Sequence, residues 1–175
     1  MKLFNSIFLL KIKHYDTQSL KLIPIEWQMV LFNEGSFTQN LTILTGSKIN
    51  IKMKQKYNYI SKKKNIRNLR YVWLENSIYT KLTFAQSLWI FKYKDELYQQ
   101  LKYSQPIGQL LINTEQDVCK QILEIYYGYC QYIEKYFKIN QPIWGRKCLL
   151  YTNYKTYAII QEFFSPYIIN FCSLK

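Results

Sequence analysis

Histidine is nearly absent, with His14 alone in a chain of 175 residues. The four cysteines, Cys119, Cys130, Cys148 and Cys172, stand at no metal-ligand spacing. Most zinc sites are thereby excluded, and His14 is the only base a Ser-His-Asp triad could use. A disulfide scaffold does not suit a chain of this size, so the cysteines read as buried thiols in a reducing compartment. The five glycines are scattered and form neither GxGxxG nor GxxxxGK. Phosphate-cradling nucleotide chemistry has no support. No Gly- or Pro-rich linker, repeat or low-complexity tract divides the chain, which predicts one domain over residues 1–175. Long apolar runs are missing too. Leu3 to Leu10 is broken by Asn5 and Ser6 and followed by Lys11 and Lys13. It is too short to span a bilayer, and no small-residue cleavage site follows it. It reads as the first buried element.

Acidic residues are few, 11 against 24 basic, for a net charge of +13. Such an excess invites a nucleic-acid reading. Only Arg67, Arg70 and Arg146 are arginine, however, and the chain is rich in Lys, Ile, Asn, Tyr and Phe. An A+T-rich genome encodes those residues readily, so much of the charge reflects composition. The one unbroken basic run, Lys62-Lys63-Lys64, reads as a solvated loop. Where lysine is the easy choice, an arginine points to a need for the planar guanidinium.

What is present is a 49% hydrophobic chain with clear patterning. Pro24 to Phe32 predicts a helix with Ile25, Met29 and Phe32 on one face. Ser36 then caps a short helix carrying Phe37, Leu41 and Leu44. Residues 49–57 alternate as a half-buried strand. Leu69 to Glu75 is apolar on both faces and reads as a central strand, paired through Asn76-Ser77 with Leu82 to Phe91. Lys94 to Tyr103 reads as a helix, Pro106-Ile107-Gly108 as a turn. Thr114 with Asp117 predicts the cap of a long helix reaching about Phe137. The chain closes on a hairpin, Trp144-Gly145-Arg146 turning at Asn153 into Tyr157 to Phe164, ended by Pro166. The class is α+β with an antiparallel sheet.

Two charges stand out. On the last strand Ala158, Ile160, Glu162 and Phe164 share a face, so a carboxylate sits on apolar ground, where it needs a partner and where its pKa is expected to rise. Arg70 shares a face with Val72 and Leu74. It is either a ligand anchor or an arginine snorkelling at a sheet edge.

Four stretches resemble bacterial chorismate lyase, in that family's order and at nearly its spacing, over roughly residues 24–167. Asn33-Glu34-Gly35-Ser36-Phe37-Thr38 is similar to its acidic-Ser-Met-Thr stretch. Arg70 resembles its substrate-anchoring arginine, and Gln105-Pro106-Ile107-Gly108 its Pro-Leu-Gly turn. Ile143-Trp144-Gly145-Arg146 and Glu162-Phe163-Phe164-Ser165-Pro166 resemble its closing Leu-Trp-Gly-Arg and Glu-Leu-Phe-Leu-Pro. The composition is also similar to that of chorismate-lyase-like reading frames on red-algal and cryptophyte plastid genomes.

The resemblance implies one α+β domain with about six antiparallel strands and helices closing over a buried ligand. It implies a cofactor- and metal-free lyase that splits chorismate into 4-hydroxybenzoate and pyruvate in the plastid for plastoquinone synthesis; a monomer is expected. Arg70 and Glu162 would be its catalytic and substrate-binding side chains. Phe37 and Ile107 would bind substrate through their backbone. Trp144, Gly145 and Arg146 would be structural. Two other readings stand beside it: a non-catalytic module binding a small aromatic acid, and a basic nucleic-acid-associated protein resting on charge alone.

Overall fold

The computed structural model describes residues 4–12, 17–60, 65–76, 80–92, 119–152 and 155–172. Its centre is one antiparallel sheet. The strands are β1 (Asn5–Lys11), β2 (Asn50–Ile60), β3 (Asn65–Glu75), β4 (Lys81–Lys92), β5 (Cys119–Tyr129), β6 (Ile143–Thr152) and β7 (Lys155–Phe164). They lie in the order β1-β5-β6-β7-β4-β3-β2. The described helices are α1 (Thr17–Lys21), α2 (Ile25–Leu31), α3 (Phe37–Thr45), α4 (Gln131–Phe137) and α5 (Ile169–Cys172), the last preceded by a 3-10 turn at Pro166–Ile168. The α+β class stands, with seven strands in place of about six.

Apolar layers cover both faces of the sheet. On one, Leu10, Ile125, Trp144, Cys148, Leu74 and Phe164 pack against Trp27, Val30 and Leu31 of α2 and Phe37 and Leu41 of α3. On the other, Trp73, Phe84, Tyr126 and Phe163 pack against Ile133 and Phe137 of α4. This explains why β3 and β7 are apolar in both phases of the alternation: each is interior to the sheet and buried on both sides.

Several expectations need correction. The first apolar stretch forms the edge strand Asn5–Lys11, with Leu10 buried but Ile7 63% and Leu9 51% exposed. In α2 it is Trp27, Val30 and Leu31 that turn inward, while Ile25 and Met29 face solvent. Ser36 holds the N-cap position of α3 without a side-chain cap bond. The cysteines are all free, but only Cys130 and Cys148 are buried.

The largest correction falls on the long Tyr-rich helix. Its middle is the strand β5, and among the described residues of that stretch only Gln131–Phe137 is helical. Aromatics all round a helix would have no single apolar stripe, whereas a strand buried on both faces accommodates them. Gly128 belongs to this strand because it lies against β1. A Cβ there would come within 2.2 Å of the Asn5 carbonyl oxygen. α4 then starts where Glu134 Oε1 accepts the Cys130 N–H, 2.5 Å away. The expected helix at residues 94–103, the turn at residues 106–108 and the cap at Thr114 lie outside the described residues.

Candidate functional site

The site grows from the cross-strand register. Arg146 on β6 stands directly opposite Glu162 on β7, so their side chains rise from the same face as neighbours. Arg146 Nε donates to Glu162 Oε2 at 2.5 Å. Arg146 Nη1 donates to the carbonyls of Leu31 (2.8 Å), Asn33 (2.8 Å) and Val30 (3.2 Å). Val30 and Leu31 carry the last carbonyls of α2, which the helix's own backbone leaves unsatisfied, and Asn33 follows in the link to α3. One guanidinium therefore fixes both the carboxylate and the helix lying over it. Its forked, multidirectional donors explain an arginine here in a lysine-rich chain. The rings of Phe37 and Phe164 flank it, with centroids 5.5 and 5.4 Å from Arg146 Cζ and 4.9 Å from each other.

Trp144 and Gly145 complete the motif by packing. Trp144 meets Tyr127 at 4.6 Å, Phe8 at 5.9 Å and Trp27 at 6.1 Å between centroids. A Cβ on Gly145 would meet the Tyr126 ring at 2.3 Å and the Glu162 carbonyl oxygen at 2.8 Å. The glycine is what lets Tyr126 lie across β6 and donate its hydroxyl to the Arg146 carbonyl at 3.0 Å.

Glu162 is held ionised. Burial alone pushes its pKa up. The Arg146 guanidinium, the nearby Lys120 ammonium and the Arg146 hydrogen bond outweigh burial and bring it below the ordinary carboxylate value. The expected rise is thus reversed, because the neighbouring strand supplies the partner that the last strand by itself lacks. Its side chain is 13% exposed and Oε2 is occupied. Oε1 accepts no hydrogen bond among the described residues.

Arg70 is 1% exposed, on a strand one place in from the sheet edge. It does not snorkel. Along the register, Arg70, Ser87 and Ile160 form one row, and Val72, Ala85 and Glu162 the next. Arg70 and Glu162 therefore share a face, two strands and two residues apart, or about 12 Å between Cα atoms at ordinary sheet spacings. Between them β4 presents only Ala85 and Ser87, the smallest side chains on that strand. Ser87 Oγ is fixed by the Trp89 indole N–H at 2.8 Å. The other cross-strand neighbour of Arg70 is Gln55, whose Oε1 accepts from Asn68 Nδ2 (2.9 Å) and the Tyr57 hydroxyl (3.1 Å). Burial draws the Arg70 pKa down to about 10, opposed by Tyr57. Ile107 lies outside the described residues.

Sequence reasoning missed Lys120. Its partner in register is Leu150, which places it on the face of Arg146 and Glu162. Lys120 Nζ donates to the Asn33 carbonyl at 3.1 Å, the same oxygen that Arg146 uses. Burial lowers its pKa, and Glu162 pulls the other way. The available signal was a lysine within an apolar strand, hidden by assigning that strand to a helix. Cys148 lies between these charges. Burial first, then Glu162, raises its thiol pKa to about 11, which leaves it protonated.

Among the described residues no group of three or more His, Cys, Asp or Glu side chains could hold a metal ion, and no helix is long and apolar enough to cross a membrane. A groove of about 590 Å³ on the opposite face, lined by Tyr71, Trp73, Phe84 and Tyr136, includes neither Arg70 nor Glu162.

A family model described as chorismate pyruvate-lyase Rv2949c-like matches residues 31–172. The chain is 43% identical over 171 residues to the uncharacterized protein ycf21 of Antithamnion sp., covering 98% of this chain and 95% of that one. It is 37% identical over 152 residues to ycf21 of Porphyra purpurea, covering 85% and 86%. Against ycf21 of Cyanophora paradoxa the identity is 27% over 157 residues, covering 84% and 80%.

Proposed function

We propose, because the chain belongs to the Rv2949c-like family of chorismate pyruvate-lyases, that it eliminates pyruvate from chorismate and releases 4-hydroxybenzoate. The observation that carries this reading is the juxtaposition on one sheet face of a buried arginine, Arg70, and an ionised carboxylate, Glu162, over a floor of Ala85 and Ser87. A ring with a carboxylate at one end and a hydroxyl at the other suits that spacing.

In the reaction the bond between ring carbon and enolpyruvyl oxygen breaks. The hydroxyl-bearing ring carbon loses its proton, and the ring becomes aromatic. The departing enolate takes up a proton and ends as pyruvate. The driving force lies in the substrate, so the protein has to orient the ligand, exclude water and handle one proton. Arg70 grips the ring carboxylate through charge-assisted hydrogen bonds. Glu162, ionised and steadied by Arg146, accepts from the ring hydroxyl with Oε1 and receives the ring proton. Arg146 is a positioning residue. Phe37 and Ile107 contact the ligand through their backbone, which tolerates the change from Met to Phe at position 37. The chain acts as one domain and as a monomer, without added metal or cofactor. It works in the plastid of an alga, where the product supplies plastoquinone synthesis.

The test is to incubate purified protein with chorismate and a chelator, and to follow 4-hydroxybenzoate and pyruvate together. Equimolar formation of both, lost in Glu162→Gln, supports the lyase. Tight binding of 4-hydroxybenzoate with no turnover would convert the reading to a binding module. Neither result would remove both.

A further inference from the structure

The face that carries Glu162 is rich in cations. Its described strand residues include three cations, Arg70, Lys120 and Arg146, against the single carboxylate of Glu162. Arg146 and Glu162 neutralise each other at 2.5 Å. Lys120 on β5 stands beyond this pair, two strands from Glu162 on β7 and four from Arg70 on β3. Glu34, in the link between α2 and α3, lies near Lys120 but is exposed, and water screens it.

We infer that Lys120 receives the second carboxylate of a dianionic substrate, the one on the enolpyruvyl ether that departs as pyruvate. This rests on the lyase reading. In chorismate the ether oxygen is on the ring carbon next to the one bearing the hydroxyl. With the ring carboxylate on Arg70 and the hydroxyl on Glu162, the enolpyruvyl arm must leave the ring at the Glu162 end, away from Arg70. Lys120 lies on that side. Its ammonium is tied to Asn33 O at 3.1 Å, and that oxygen is tied to Arg146 at 2.8 Å. An ammonium has three donors, and a carbonyl uses one. Two buried polar atoms at the same junction, Arg146 Nη2 and Asn33 Oδ1, have no hydrogen-bond partner among the described residues. Buried groups of this kind are normally satisfied, and a carboxylate beside Lys120 would accept from Arg146 Nη2 as well. The product lacks this carboxylate. Once pyruvate is gone, Lys120 contributes nothing to holding 4-hydroxybenzoate, so the subsite favours substrate over product.

The experiment measures affinities for chorismate and for 4-hydroxybenzoate, by calorimetry and by KM, in wild type and Lys120→Met. Methionine keeps the apolar stem and removes the ammonium. The expected result is a loss of about 10- to 100-fold for chorismate, the range for one charge-assisted hydrogen bond, with 4-hydroxybenzoate affinity within about twofold. Lys120→Arg should retain chorismate binding. Equal weakening of both ligands would make Lys120 a structural tie to Asn33 and overturn the inference; so would no change in either. Should Lys120→Met not fold, Lys120→Gln is read by the same two affinities. Wild-type protein that binds neither ligand removes the lyase reading itself. Wild-type protein that binds both, with Lys120→Met unchanged, removes only the role of Lys120.

Discussion

At the scale of single residues, the fate of Glu162 turns on one neighbour. An isolated carboxylate on an apolar face would be protonated or paired, and Arg146 pairs it. Glu162→Gln should abolish most turnover in the coupled product assay. It also leaves a buried guanidinium without its counter-charge, and breaking such a pair costs about 3–5 kcal/mol. The pH dependence has a definite sign. Because the folded carboxyl has a lowered pKa, its contribution to stability is fully present above the unfolded value and is lost as pH falls through the folded one. Urea unfolding of wild type and Glu162→Gln should therefore differ at pH 7 and converge in acid. A gap that stayed constant would show that the pair is not ionic. Arg70→Ala should weaken chorismate and 4-hydroxybenzoate alike, since both carry the ring carboxylate; unchanged titrations would remove Arg70 as the anchor.

At the scale of elements, the strand pair β6–β7 and the helix α2 behave as one unit, because Arg146 bonds to both. Arg146→Lys keeps the charge but cannot serve four acceptors, one carboxylate and three carbonyls, in those directions. A loss of stability of a few kcal/mol is expected, together with weaker chorismate binding, because the carboxylate is no longer aimed. A variant as stable as wild type would mean that α2 is held by packing alone. Gly145→Ala places a methyl against the Tyr126 ring and should cost about 1–3 kcal/mol as overpacking, read as a lower midpoint in urea.

At the scale of the whole molecule, the excess of lysine has partly structural uses. β2 is an edge of the sheet, and Lys52, Lys54 and Lys56 stand exposed along it. Charged side chains on an edge discourage pairing with another chain. The site cations differ: Arg70 and Arg146 are buried and Lys120 is half-buried. RNA binding, if assayed, should be weak and vanish at physiological salt; retention of tight binding there would revive a nucleic-acid role.

The sequence by itself determined the parts whose cause is local. Period-two alternation exposed β2, short apolar runs bounded by turn residues exposed β3, β4 and the β6–β7 hairpin, and the order of short motifs pointed to the family. It also marked Arg70 and Glu162, since a charge among apolar neighbours is visible in one strand. β5 escaped, because an aromatic run buried on both sides has neither helical nor strand periodicity. The tertiary structure alone decided which charges meet. Register set Arg146 opposite Glu162, sheet order put two small residues between Glu162 and Arg70, and the end of α2 brought Asn33 to both Arg146 and Lys120. A carboxylate's ionisation depends on groups a few ångströms away in space, and for Glu162 those groups lie 16 and 42 positions away along the chain. No local pattern could contain them.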